Sequence, residues 1–275
     1  MLYLHVGLHK TGTTYFQADV FPYWRGLRYL RSLSVEGFLK VPQEEICLAS
    51  REGLSGGVLA HQAEKLLFLK RLSRMFPDAQ IIISFRQHSS YINAIYSQYL
   101  RYGGTLPFQE FFDLDHDNGL IKRDDVHFKS YVDGIRNYWG RPPFVFLLTE
   151  IKENKSQLMT DLGSFFGRPP PAPETLPSRP RNLSLGAKQA ETLRRINRFF
   201  GIQLHRDGST RPYRILRRAN MDPPSLCQRW TALSRNQRPI IESRLAQRID
   251  HFYKDDWAFL QSCVDQRRNL LEISG

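Results

Sequence analysis

Gly7-Leu8-His9-Lys10-Thr11-Gly12-Thr13-Thr14 separates a short apolar run, LYLHV (2–6), from a helix-like stretch, YFQADVF (15–21). The order is strand, glycine-bearing turn, helix. Such a turn aims free backbone N–H groups and the positive end of a helix dipole at one point, which makes an anion site. Gly7 and Gly12 let the backbone approach an oxyanion closely. Thr11, Thr13 and Thr14 add hydroxyls, and Lys10 adds a compact point charge. The spacing of the two glycines matches GxxxxGK[ST], but Thr13 follows Gly12 and the lysine stands two residues before it. The loop is therefore not a standard nucleoside-triphosphate loop.

Outward from this loop the chain alternates strand and helix. EEICLAS (44–50), AQIIISF (79–85) and PFVFLLTE (143–150) read as further strands, the second as a buried central one. Helical spacing is evident over 61–76, 89–104, 128–140 and 154–167. This predicts an α/β fold: a doubly wound, mostly parallel sheet of four to five strands flanked by helices, followed by a helical C-terminal portion. The expected organisation is a core over 1–167, a strap or linker rich in proline over 168–182, and a mainly helical part over 183–275 that packs on the core. Within that last part, 187–200 and 238–261 read as helical and 206–229 is rich in arginine.

Lys and Arg number 39 against 27 Asp and Glu, a net charge of +12, which favours anionic partners. Cys47, Cys227 and Cys263 are widely spaced and form no CxxC pair, so neither a disulfide framework nor a zinc site is expected. No run approaches the length of a membrane span, and the expected location is cytoplasmic. No HExxH or comparable ligand spacing is present, and no metal is expected. The basic segments carry no RNP, KH or helix-turn-helix signature, so no nucleic acid is expected as a partner. The stripe Tyr91, Tyr96, Tyr99 and Tyr102 reads first as helix packing.

The string HVGLHKTGTTYFQ (5–17) resembles the 5′-phosphosulfate loop of the sulfotransferase superfamily, whose fold is P-loop NTPase-like and whose donor is 3′-phosphoadenosine 5′-phosphosulfate. The resemblance implies transfer of a sulfuryl group to a hydroxyl or amine of a small-molecule or glycan acceptor, with 3′,5′-bisphosphoadenosine as product. It places Gly7, Lys10, Thr11, Gly12, Thr13 and Thr14 around the 5′-phosphosulfate, with Lys10 also on the leaving oxygen. It places Arg86, at the end of IIISFRQ, on the 3′-phosphate. The serine usual in the following helix falls on Ala94, so Ser90 and Ser97 stand as its candidate substitutes. Glu52, at the start of a glycine-rich stretch, is the first candidate general base and His9 the second. Two other readings stay open: a small-molecule kinase of the same fold, and a non-catalytic nucleotide-binding protein. The oligomeric state is not legible.

Overall fold

The structure, a computed structural model, describes residues 1–30, 45–173, 176, 185–200, 226 and 239–274. Most of the expected strap, the arginine-rich segment 206–229 and Cys227 lie outside the described residues. The chain divides into two compact units. The first comprises Met1–Gln87, Asp124–Arg179 and Tyr253–Gly275, and the second His88–Arg123 and Pro180–Phe252.

The first unit holds one all-parallel sheet of five strands: β1 Leu2–His5, β2 Arg28–Leu30, β3 Cys47–Ser50, β4 Gln80–Phe85 and β5 Phe144–Leu147, in the order β2-β3-β1-β4-β5. The four expected strands are present, and β2 is an additional edge strand. Its three residues, Arg-Tyr-Leu, are too short to show a period. β5 stops at Leu147 rather than at 150. Glu150 accepts the Leu147 N–H at 2.8 Å, and this cap starts a helix at Leu148.

β1 sits centrally, with β3 on one side and β4 on the other. The chain leaves β1 towards β2 and β3, then crosses back to β4 and β5. The carboxyl end of β1 is therefore the switch point of the sheet, where ligands of open α/β sheets bind.

Both faces of the sheet are buried, as continuous apolar strands require. Tyr3, Leu48, Ile82, Phe144 and Phe146 share one face with Phe16, Phe21, Leu158, Leu162 and Phe166. The last three belong to a helix over Lys155–Phe166. Leu4, Ala49, Ile81, Ile83 and Phe85 alternate to the other face. There the Phe85 ring meets Phe128, just before the helix Lys129–Trp139, with centroids 5.1 Å apart. The Trp139 indole N–H donates to Phe76 O at 2.9 Å, tying that helix to the end of Gln62–Met75.

Among the described residues the helices, in chain order, are α1 Thr13–Tyr15, α2 Gln62–Met75, α3 His88–Arg101, α4 Phe108–Phe111, α5 Lys129–Trp139, α6 Leu148–Glu153, α7 Lys155–Phe166, α8 Ala187–Phe200, α9 Ser243–Phe252 and α10 Lys254–Ser274. α1 continues directly into a π-turn, Phe16–Val20. The helical reading of 238–261 resolves into α9 and α10, which belong to different units.

The second unit is built on α3. Asn197 of α8 donates to Leu100 O and Gly104 O at 2.8 Å each, and Asp250 of α9 accepts from the Ser89 N–H and hydroxyl. Tyr91, Tyr96 and Tyr99 are buried, as expected of a packing stripe. Among the described residues no helix is long and apolar enough to cross a membrane. Cys47 and Cys263 are free, buried thiols.

Candidate functional site

The site is built from the carboxyl ends of β1, β3 and β4. β1 runs into the loop at Gly7. A Cβ at Gly7 would lie 2.5 Å from Thr13 Oγ1 and 3.1 Å from His5 Nε2, so only glycine fits. Gly12 closes the loop with φ 96°, the left-handed region that favours glycine. A Cβ there would also strike Ile151 and Leu148 of α6 at 2.9 Å. Lys10 has φ 68° without being glycine, a conformation that costs on the order of 1–3 kcal/mol and persists only where its surroundings impose it.

The loop is tied down from behind. Thr11 Oγ1 donates to Leu8 O at 2.6 Å, so the Ser84 hydroxyl, 2.7 Å away on β4, donates to Thr11. Ser55 Oγ lies 3.2 Å from both Gly7 O and Glu52 O. Gly12 O takes the N–H groups of Tyr15 and Phe16 as the first intrahelical acceptor. The amides of Gly12, Thr13 and Thr14 precede it and have no acceptor within the helix. They are the donors an oxyanion would meet.

Glu52 stands in the turn after β3, beside this loop. Its Oε2 lies 3.2 Å from His9 Nδ1, and its Oε1 accepts from Thr14 Oγ1 at 3.3 Å. His9 Nε2 lies 3.1 Å from Gly56 O. Burial pushes the Glu52 carboxyl up. The His9 hydrogen bond and charge, the Lys10 ammonium and the Thr14 hydroxyl outweigh it and hold the group below the usual carboxylate value. Glu52 is therefore an anion at neutral pH. Both neighbours of the His9 ring, a carboxylate and a carbonyl, are hydrogen-bond acceptors.

Arg86 follows β4. Its Nη1 donates to Lys10 O at 3.4 Å, and burial lowers its pKa. Lys10, His9, Glu52 and Arg86 thus converge on one edge of the sheet. Ser90 and Ser97 lie on α3, in the second unit; Ser97 is buried and donates to Asn93 O at 2.9 Å. His61, at the start of α2, pairs with Asp125 at 2.7 Å. Among the described residues no group of three or more His, Cys, Asp or Glu is placed to hold a metal ion.

The loop threonines are oriented differently from one another. Only Thr14 is exposed; Thr11 and Thr13 are buried. Sequence reasoning missed the layer behind the loop. His5 Nδ1 lies 2.8 Å from Ser50 Oγ, its register partner on β3, and Gln17 donates to Ser50 O at 2.9 Å and to Ser50 Oγ at 3.2 Å. The available signal was a histidine at an inward-facing position of an otherwise apolar strand.

No protein-family model matches the chain, and no curated protein matches it. Among solved structures it is similar to the crystal structure of a sulfotransferase from Alicyclobacillus acidocaldarius. The two are 16% identical, the match covers 72% of this chain and 80% of that one, and the TM-score is 0.40. At that identity and score the likeness adds no argument to the geometry above.

Proposed function

We propose that the protein is a sulfotransferase that moves a sulfuryl group from 3′-phosphoadenosine 5′-phosphosulfate to a hydroxyl or amine of an acceptor, with carbohydrates among the candidates. The observation that carries this reading is Lys10. It is held in a left-handed conformation inside a loop whose next amides are open, beside an ionised carboxylate at the switch point of the sheet.

The residues fit the donor. The amides of Gly12, Thr13 and Thr14 and the Lys10 ammonium would hold the 5′-phosphosulfate, with Gly7 and Thr11 shaping the loop. Arg86 would meet the 3′-phosphate with its planar fork. Ser90 and Ser97 are its candidate companions. In the reaction the acceptor oxygen forms a bond to sulfur while the bond from sulfur to the bridging oxygen breaks. The electron pair leaves with the phosphate, and Lys10 with the loop amides stabilises that charge. The acceptor proton passes to Glu52. His9 serves as the hydrogen-bond partner that orients Glu52.

The test is transfer itself. Donor carrying radioactive sulfur is incubated with the protein and a broad panel of alcohols, amines and glycans. The expected result is label in an acceptor together with stoichiometric 3′,5′-bisphosphoadenosine. Tight binding of the bisphosphate without transfer to any of them would favour the non-catalytic reading.

A further inference from the structure

His5 and Thr13 each keep one polar atom unpartnered in the interior. His5 is 0% exposed and Thr13 1% exposed, and neither His5 Nε2 nor Thr13 Oγ1 has a hydrogen-bond partner. The two atoms flank Gly7 on the same side, 3.1 and 2.5 Å from where a Cβ would sit. They are therefore close enough for a single water molecule to bridge them. Each buried group left unsatisfied costs about 1–3 kcal/mol, so the arrangement calls for an explanation.

Behind His5 the hydrogen bonds run through Ser50 to Gln17. Gln17 Nε2 donates to Ser50 Oγ, and Ser50 Oγ keeps a hydrogen that can be donated to His5 Nδ1 at 2.8 Å. With that direction the ring proton lies on Nε2, the atom facing Gly7 and Thr13, and this is the tautomer the proposal uses. Burial drives the His5 pKa down to about 3, so the ring stays neutral and the tautomer persists at any ordinary pH.

We propose that His5 is a positioning residue for the anion loop: its Nε2–H donates through one water to Thr13 Oγ1 and leaves the Thr13 hydroxyl hydrogen as a donor for the bound oxyanion. The chain of bonds then runs Gln17 to Ser50 to His5 to Thr13, every donor pointing toward the loop. Ser50, His5 and Thr13 are buried, so packing holds them in place before any ligand arrives. The surroundings show what His5 gives up for this. Its ring lies among Phe16, Phe21 and Phe146, with centroids 5.5–6.0 Å away. A phenylalanine would suit that cluster better for stability alone. The inference deepens the sulfotransferase reading, on which it rests for the identity of the anion.

The test compares wild type, His5→Phe, His5→Gln, Thr13→Val and the double variant His5→Phe/Thr13→Val. Melting temperature is measured for each, with calorimetric titration of 3′,5′-bisphosphoadenosine and, separately, of inorganic pyrophosphate. His5→Phe should melt no lower than wild type yet bind about tenfold more weakly, the loss expected for one oriented hydrogen bond. His5→Gln, which keeps an amide donor, should recover most of the affinity. The double variant should bind no more weakly than Thr13→Val alone. Unchanged affinity in His5→Phe would overturn the proposal. So would an affinity loss that merely follows a fall in melting temperature and that glutamine does not restore. If wild type binds pyrophosphate but not the bisphosphate, the sulfotransferase reading falls and His5 is judged on the pyrophosphate data. If it binds neither, both fall.

Discussion

Nδ1 of His9 lies 3.2 Å from Oε2 of Glu52, while the opposite ring nitrogen faces the carbonyl oxygen of Gly56 at 3.1 Å. Both ring nitrogens of His9 are thus engaged by protein oxygens. On this geometry Glu52 is the base the proposed reaction uses. Glu52→Gln should lower kcat about 10²–10⁴-fold, the range for a lost general base. Affinity for 3′,5′-bisphosphoadenosine should hold or tighten, since the carboxylate no longer competes for Lys10. An unchanged kcat would remove Glu52 from the mechanism. The pH dependence follows from the same contacts. The Glu52 carboxyl is held below its ordinary value, so the stability of the ion pair is complete above the unfolded-state pKa, about 4.3, and is lost as pH falls through the lower folded value. The acid limb of the rate profile that Glu52 governs should accordingly lie below pH 4.3.

Gly12 joins the anion loop to α6. Its backbone is left-handed, and Ile151 and Leu148 occupy the space a side chain would need. Gly12→Ala should lose roughly the 1 kcal/mol of a left-handed alanine, plus the cost of turning aside the ends of Ile151 and Leu148. Chemical denaturation reads the stability and calorimetry reads the accompanying loss of anion binding. A variant as stable as wild type would contradict the tight fit between the loop and α6.

α6 is anchored in turn by Arg267 of α10, which is buried with its guanidinium 4.6 Å over the Phe144 ring. It donates to Glu150 at 2.8 Å, to Asp161 at 2.7 Å and to Val145 O at 2.7 Å. Arg267→Met would leave two buried carboxylates short of their main counter-charge. The expected loss is about 3–5 kcal/mol in a denaturation experiment. Adding Glu150→Gln and Asp161→Asn should recover part of it. A single variant within 1 kcal/mol of wild type would contradict this reading.

Lys65 of α2 is 3% exposed, and burial lowers its pKa to about 8 against the pull of Asp125 and Glu64. An unfolded lysine titrates near 10.4. Between about pH 8 and pH 10.4 the unfolded chain binds more protons than the folded one, so this residue makes stability rise with pH across that window. Lys65→Met should remove that slope and be more stable at pH 7 by on the order of 3 kcal/mol. Parallel slopes in the two proteins would show that the Lys65 amine is solvated.

Much of the fold was readable because it rests on long, one-sided signals. IIISF is apolar throughout, and a strand buried on both faces has to be. β2 was not readable, since Arg28-Tyr29-Leu30 is an edge strand of three residues with no period to detect. β5 was read too long because LLTE continues an apolar run, and only the Glu150 side chain, folding back on the Leu147 N–H, ends the strand. For the site, the sequence supplied Lys10, the two glycines and Arg86. It did not supply directions. Thr11, Thr13 and Thr14 are equivalent as letters, yet one hydroxyl closes the loop on Leu8 O, one is buried beside Gly7 and one meets Glu52. His5 looked like one residue of a strand, and its register with Ser50 on β3 is what makes it part of the site.

The central claim is that the turn around Lys10 is a preformed seat for the phosphosulfate end of a doubly phosphorylated adenine nucleotide. Calorimetric titration with 3′,5′-bisphosphoadenosine, 5′-AMP and ATP with Mg²⁺, on wild type and on Lys10→Ala and Arg86→Ala, tests it most directly. The account predicts that the bisphosphate binds best, with no metal added, and that each substitution weakens it at least tenfold, as the loss of a charge-assisted contact would. A preference for ATP with Mg²⁺, or bisphosphate binding indifferent to Lys10, would contradict it.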